Sequence, residues 1–291
     1  MFRRIKSGWQ LTKKSWRILK DEPGLIKFPL YGGIIAALIA IVVIGPGLYF
    51  WEEGPRALGV ILAAVGIYLA SFVTFYFAVG LAHNADQRMH GNEVTFGEGM
   101  ALASSRMSAI AGWAFVSTVV MTAIRFLQER FGIAGAILGG LAGAAWGILT
   151  FLAIPVIALE GTGPISTLKR CGNLVKSRWG EQITGTITIG GAVFLFGLLP
   201  GLVLITVGVI LWTTTAAGAV ILVGIGVLIF IVASLVQQAL STIFGVALYR
   251  YVAGEEVVGG FTTEEMESAV RTKNKRPGST PGMPPTSAST V

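Results

Sequence analysis

Along this chain apolar residues gather into long unbroken stretches, separated by short polar connections, instead of alternating with polar residues. The longest stretch, 182–249, contains no Lys, Arg, Asp, Glu or His in 68 residues. A helical crossing of a bilayer takes about 20 residues, so this stretch alone is long enough for more than one. The pattern predicts apolar helices at about 25–50, 57–82, 107–124, 131–159, 183–210 and 216–249. The expected fold is therefore all-α, a polytopic membrane domain over 25–250 built from six transmembrane helices paired as three in-out-in hairpins. The uncharged stretch also admits three shorter crossings, broken at Pro200-Gly201 and near Gly224-Ile225-Gly226, which would put the two termini on opposite sides.

The connections carry a different pattern. Over residues 2–19, Phe2, Ile5, Trp9, Trp16 and Leu19 fall on one stripe at helical spacing, with Arg3, Arg4, Lys6, Lys13, Lys14 and Arg17 around the rest. That is the pattern of a basic helix lying in the membrane interface over 1–24, its Lys, Arg and Trp side chains contacting the lipid surface. Asp21-Glu22-Pro23-Gly24 breaks it before the first crossing. A second surface helix is expected from Pro164, with Ile165, Leu168, Cys171, Val175 and Trp179 at spacings of three and four. A third begins at the capping box Thr95 and Glu98 and continues through Phe96, Met100, Ala103, Met107 and Ile110. After the last crossing, 251–271 reads as a short cytoplasmic helix. The stretch 272–291, rich in Pro, Ser, Thr and Gly, reads as a flexible tail.

Composition confirms the class and charge orients it. Of the residues, 53% are hydrophobic and 13% charged, where a soluble domain carries about 25% charged residues. The net charge of +7 does not point to nucleic acid, because the basic residues sit in short blocks flanking apolar runs. The amino-terminal region, the second and fourth connections and the tail together hold 19 of the 22 Lys and Arg residues. The positive-inside rule places those regions in the cytoplasm, with a multi-pass chain in the cell (plasma) membrane and both termini cytoplasmic. A lone Cys171 excludes an internal disulfide and a cysteine-rich metal site.

Self-similarity suggests one unit used three times, a surface helix followed by a hairpin. Sliding the chain by 163 residues matches Ala70-Ser71 to Ala233-Ser234, Val73 to Val236, Gly91 to Gly254 and Glu93-Val94 to Glu256-Val257. Both copies run into a capping box, Thr95 with Glu98 and Thr262 with Glu265. This layout, with Ser15-Trp16-Arg17-Ile18-Leu19-Lys20 before the first crossing, Phe28-Pro29 entering it and Trp179-Gly180-Glu181-Gln182 before the fifth, resembles a family of uncharacterised prokaryotic six-span membrane proteins. The resemblance covers roughly residues 5–255. It implies fold and membrane location, and no site residues.

Candidate contact sites are few. Gly135, Gly139, Gly143 and Gly147 form three overlapping GxxxG motifs on the fourth crossing, a face for close helix packing by a helix of this chain or of a second copy. On the sixth, Ser234, Gln237, Gln238 and Ser241 make a polar intramembrane face. It is read either as interhelical hydrogen bonding or, with Ser71 and Thr74, as a polar pathway. Ionisable residues are confined to the ends of the crossings: His83, Asp86, Arg106, Arg125, Arg130 and Glu160. That argues against ion-coupled transport, which uses ionisable groups near the midplane. His83, Asp86 and His90 lack the geometry of a metal site, and no P-loop, nucleophile elbow or HExxH is present, so no catalytic residue and no cofactor is expected.

The function expected is non-enzymatic: organising the bilayer, or scaffolding a complex, through basic surface helices and close-packed glycine faces. Its partners would be anionic lipid headgroups at the cytoplasmic face, with a second copy or another membrane protein on the glycine face. A channel or facilitator for a small polar or lipid-like solute is the alternative, and a membrane-embedded enzyme ranks third.

Overall fold

A computed structural model describes residues 2–179, 198–211, 216–254, 258–262 and 266. It is all-helical among them. Helix α1 (Phe2–Asp21) ends at a short 3-10 turn, Pro23–Ile26, where the sequence predicts a break. Then follow α2 (Lys27–Ile39), α3 (Gly45–Glu53), α4 (Arg56–Met89), α5 (Phe96–Ser105), α6 (Met107–Arg130), α7 (Gly132–Glu160), α8 (Pro164–Trp179), α9 (Leu199–Ile210) and α10 (Ala216–Ala253). A π-helical stretch, Ala40–Ile44, joins α2 to α3. Pro46 explains it: without an N–H, and with its ring against the preceding turn, it forces the hydrogen-bond ladder to widen.

Among the described residues, five helices are long and apolar enough to cross a membrane: Pro23–Glu53, Arg56–Met89, Met107–Arg130, Ala134–Glu160 and Gly218–Ala253. The first half of the predicted fifth crossing, 183–197, lies outside the described residues, and Leu199–Ile210 is an apolar helix of 12 residues. Helix α10 runs without interruption through Gly224-Ile225-Gly226, so the break that three short crossings would need there is absent. The predicted 272–291 tail and most of 251–271 lie outside the described residues.

The helices pair as neighbours in sequence, and glycines set how closely. In the α3–α4 hairpin a Cβ on Gly59 would lie 2.7 Å from the backbone N of Trp51 and 2.8 Å from the carbonyl oxygen of Gly47. In the α9–α10 hairpin a Cβ on Gly226 would lie 2.9 Å from the carbonyl oxygen of Gly201. Pro46-Gly47 and Pro200-Gly201 thus each supply the glycine at which two helix backbones touch.

The packed core sits toward one end of the bundle. Phe28, Val79, Leu81, Ile110, Trp113, Leu152, Val156, Ile157, Ile243 and Phe244 are all buried to within 1%. Toward the other end large apolar side chains face outward, with Ile41 at 70%, Leu141 at 66% and Leu228 at 62% exposure. An apolar exterior of that extent is compatible with hydrocarbon surroundings and costly in water.

The packed end is where the return helix of each hairpin stops. Helices α4, α7 and α10 are followed by glycines in the left-handed conformation: Gly91 at φ +84°, Gly161 at +67° and Gly254 at +91°. Only glycine takes this turn without strain, and it frees the chain to swing into the next surface segment. Gly91 and Gly254 are partners under the 163-residue shift, so that sequence match corresponds to a shared helix ending. The capping box also forms: the Thr95 side chain accepts from the Glu98 N–H at 3.3 Å, and Glu98 accepts from the Thr95 N–H at 2.9 Å.

Candidate functional site

At the packed end, two adjacent residues of α10 tie the return helices together. Arg250 donates through Nε to Asp86 Oδ1 at 2.7 Å and through a terminal nitrogen to Oδ2 at 2.8 Å, a two-pronged ion pair across 164 residues of sequence. The Asp86 side chain is 2% exposed. Next to it, the Tyr249 hydroxyl donates to Glu160 Oε1 at 2.6 Å, and Arg170 of α8 donates to the same oxygen at 2.7 Å. Helices α4, α7, α8 and α10 are therefore joined by charged hydrogen bonds of the stronger kind. The sequence marks Asp86 and Glu160 as ionisable residues at helix ends, but not their partners.

Asp86 also bears on the group His83, Asp86 and His90. Its carboxylate is taken by Arg250, and the His90 ring Nδ1 lies 2.8 Å from the Asp86 backbone oxygen. Among the described residues no group of three His, Cys, Asp or Glu side chains is placed to hold a metal ion.

Helix α1 docks on this end. Ser15, Ile18, Leu19 and Thr12 are buried, while Trp16 is 48% exposed. At 100° per residue the buried set and the stripe running through Trp16 are about a quarter turn apart. One face of α1 thus meets the protein, Leu19 of the predicted stripe included, and leaves Trp16 outside. Arg17 is exposed and Lys14 half-buried, whereas the side chains of Phe2, Arg3, Arg4, Ile5, Lys6 and Trp9 fall outside the described residues.

The segment after α10 folds back beneath α1. Lys14 Nζ donates to the Gly260 carbonyl at 2.7 Å and stands 6.0 Å from the Phe261 ring centre, and Phe261 and Met266 are buried. Between α1, the end of α4 and this segment is a cavity of about 390 Å³ into which Lys14, Arg17 and Arg88 converge, with Asp21 at its edge. Arg17 and Arg88 make no ion pair with any described residue. The arrangement is a concave basic site with glycine backbone on one wall, suited to a phosphate-bearing group.

The glycine face of α7 divides in two. A Cβ on Gly135 would fall against the Leu127 carbonyl oxygen and one on Gly139 against the Gln128 side chain, both on α6 of the same hairpin. Nothing lies within 4 Å of a Cβ on Gly143 or Gly147. The polar face of α10 largely bonds to itself: Ser234 donates to the Phe230 carbonyl at 2.7 Å and Gln237 Nε2 to Ser241 Oγ at 3.2 Å, while the Gln238 carbonyl accepts from Thr242 at 3.0 Å.

Cys171 is fully buried in α8, and its thiol is pushed up to about 12 by burial and then by the charge of Glu160. The thiolate is the reactive form, so a maleimide should leave Cys171 unlabelled in the folded protein from pH 7 to pH 9. In denaturant, where the thiol ionises near its ordinary value of about 8.5, labelling should speed up as pH rises across that window. Fast labelling of the folded chain would show that α8 does not cover this side chain.

Among the described residues these features define an all-helical fold with five helices able to cross a membrane by length and composition, joined at one end by the buried Asp86–Arg250 pair and the more exposed Glu160–Arg170 pair beside a basic cavity. A family of unknown function, DUF6159, matches residues 57–260, and the chain belongs to that family. No curated protein matches it.

Proposed function

We propose that the protein is a six-span integral membrane protein of the cell membrane with both termini cytoplasmic, and that its role is non-enzymatic. In this reading it organises the cytoplasmic leaflet, or a complex assembled on it, by holding anionic lipid headgroups at the packed end. The observation that carries the reading is the basic cavity where Lys14, Arg17 and Arg88 converge on the helix that exposes Trp16. Each Lys or Arg near an anionic leaflet contributes about 1 kcal/mol at low ionic strength, so three favour anionic over neutral lipid by roughly a hundredfold. The channel alternative ranks below it because the Ser234 hydroxyl and the Gln237 amide nitrogen donate along α10 itself, which leaves only the Gln237 amide oxygen of that face buried without a partner.

The test is lipid enrichment. The full chain is reconstituted in mixed phosphatidylcholine and phosphatidylglycerol, re-extracted in mild detergent, and its retained lipid counted. Wild type should carry phosphatidylglycerol in excess over the bulk, and the excess should shrink in high salt. A Lys14→Gln, Arg17→Gln, Arg88→Gln variant should lose most of that excess while remaining folded. Equal enrichment in the variant would remove the headgroup role from this end.

A further inference from the structure

The opposite half of the bundle holds a second cavity, of about 600 Å³, between α4, α6 and α7. Its volume falls within the usual range for ligand pockets. Trp146 lines it and stacks on the buried Trp113, 5.5 Å apart with planes 12° from parallel, and Thr150, Phe151 and Ile154 continue the lining toward the packed core. The side of this slot is open between helices, for the lining residues Ile67 and Met121 are 42% and 40% exposed among outward-facing apolar side chains.

Three features describe the occupant. Arg125 lines the slot and makes no ion pair or hydrogen bond with any described residue. It lies five residues before the end of α6, or roughly 7 Å along the axis, a depth from which a guanidinium reaches the phosphate layer of a bilayer. Below Arg125, Ser117, Thr118 and Thr150 line the slot with hydroxyl oxygens that are buried and have no protein partner. Ser117 is only 5% exposed. Hydrocarbon alone leaves such hydroxyls unsatisfied at a cost of about 1–3 kcal/mol each, so acceptor atoms are required at that depth. Finally, Gly143 and Gly147 line the same slot, and the open space over them makes a narrow channel along α7.

We infer that this slot binds one molecule of anionic phospholipid from the outer leaflet. Its phosphate sits on Arg125, its ester oxygens accept from the hydroxyls below, and an acyl chain lies over Gly143 and Gly147 against Trp146. The inference rests on the spanning orientation of α6 proposed above and is independent of the headgroup role of the opposite end.

The experiment uses the full chain carrying Lys14→Gln, Arg17→Gln and Arg88→Gln, so that the basic end does not contribute. Delipidated protein in detergent is titrated with phosphatidylglycerol, phosphatidylcholine or inorganic phosphate, and bound lipid is counted by native mass spectrometry alongside the melting temperature. One phosphatidylglycerol should bind and raise the melting temperature, phosphatidylcholine at least tenfold more weakly, and inorganic phosphate should do nothing. Arg125→Gln should erase the preference for phosphatidylglycerol. Gly143→Leu, whose Cβ meets nothing within 4 Å and whose remaining atoms enter the slot, should abolish binding of both lipids without lowering the melting temperature of the lipid-free protein. Equal binding of phosphatidylglycerol by all three chains would overturn the inference, as would a phosphate-induced shift equal to that of the lipid.

Discussion

Arg250→Leu should lower the stability of the folded chain by about 3–5 kcal/mol, the usual result of removing one partner of a buried ion pair and leaving the other charge unpaired. The magnitude follows from geometry. The Asp86 carboxylate is 2% exposed and receives two short hydrogen bonds from Arg250, while the next nearest basic group, His90 Nδ1, stands 3.9 Å from Oδ1, too far to replace them. In a helical domain of this size 1 kcal/mol moves the melting temperature by about 2–4 °C, so the expected drop is on the order of 10 °C. Asp86→Leu combined with Arg250→Leu should recover most of the loss, because two apolar side chains of similar reach replace two desolvated charges. Thermal unfolding in one detergent compares the three chains. A single variant no less stable than the double would show that α4 and α10 are not held by this pair.

Leucine at Gly59 or Gly226 should be nearly as damaging, at about 3 kcal/mol or more. A Cβ at either position meets backbone atoms of the neighbouring helix at 2.7–2.9 Å, and backbone cannot swing aside as a side chain can. Alanine at Gly143 or Gly224 should instead add roughly 0.5–1 kcal/mol, since nothing lies within 4 Å of a Cβ there and alanine is the better helix former. Gly139→Leu should fall between, because its obstacle is the movable Gln128 side chain. The same melting assay, run on all five, checks the order. Equal losses at Gly226 and Gly143 would mean that helix contact does not set the cost.

This contrast shows what the sequence could and could not reveal. The apolar stretches, the break at Asp21-Glu22-Pro23-Gly24, the Thr95 capping box and the start of α8 at Pro164 are local consequences of residue type, and each is legible from a few neighbours. Which glycines touch another helix is not local. Gly143 belongs to the most regular glycine series in the chain and meets nothing, whereas Gly59 stands outside any such series and meets Trp51 and Gly47. The starts of α3 and α9 were better marked, since Pro46-Gly47 and Pro200-Gly201 each join a helix-bending residue to one that allows close approach.

The partner of Asp86 was not legible, although the repeat sets the two residues at equivalent helix ends. Under the 163-residue shift Asp86 falls opposite Tyr249, and Arg250 opposite Gln87. Equivalent ends of two copies brought together at the packed end therefore place Arg250 within reach of Asp86. Composition offers no such hint, because charges at helix ends ordinarily meet solvent. The buried face of α1 escaped notice for another reason: Thr12 and Ser15 are small and polar, and an apolar stripe is defined without them.

The proposed role depends on the packed, basic end lying in the cytoplasm, and sidedness is the most direct test of that claim. Because native Cys171 is buried, the probes are built in a Cys171→Ser background: Gly172→Cys, at an exposed position of α8 with open space around it, and Glu53→Cys, exposed at the far end of α3. An impermeant maleimide added to intact cells should label the Glu53 position and leave the Gly172 position untouched, and inverted membrane vesicles should show the reverse. Labelling of the Gly172 position from outside the cell, or of both positions from one side, would contradict the account.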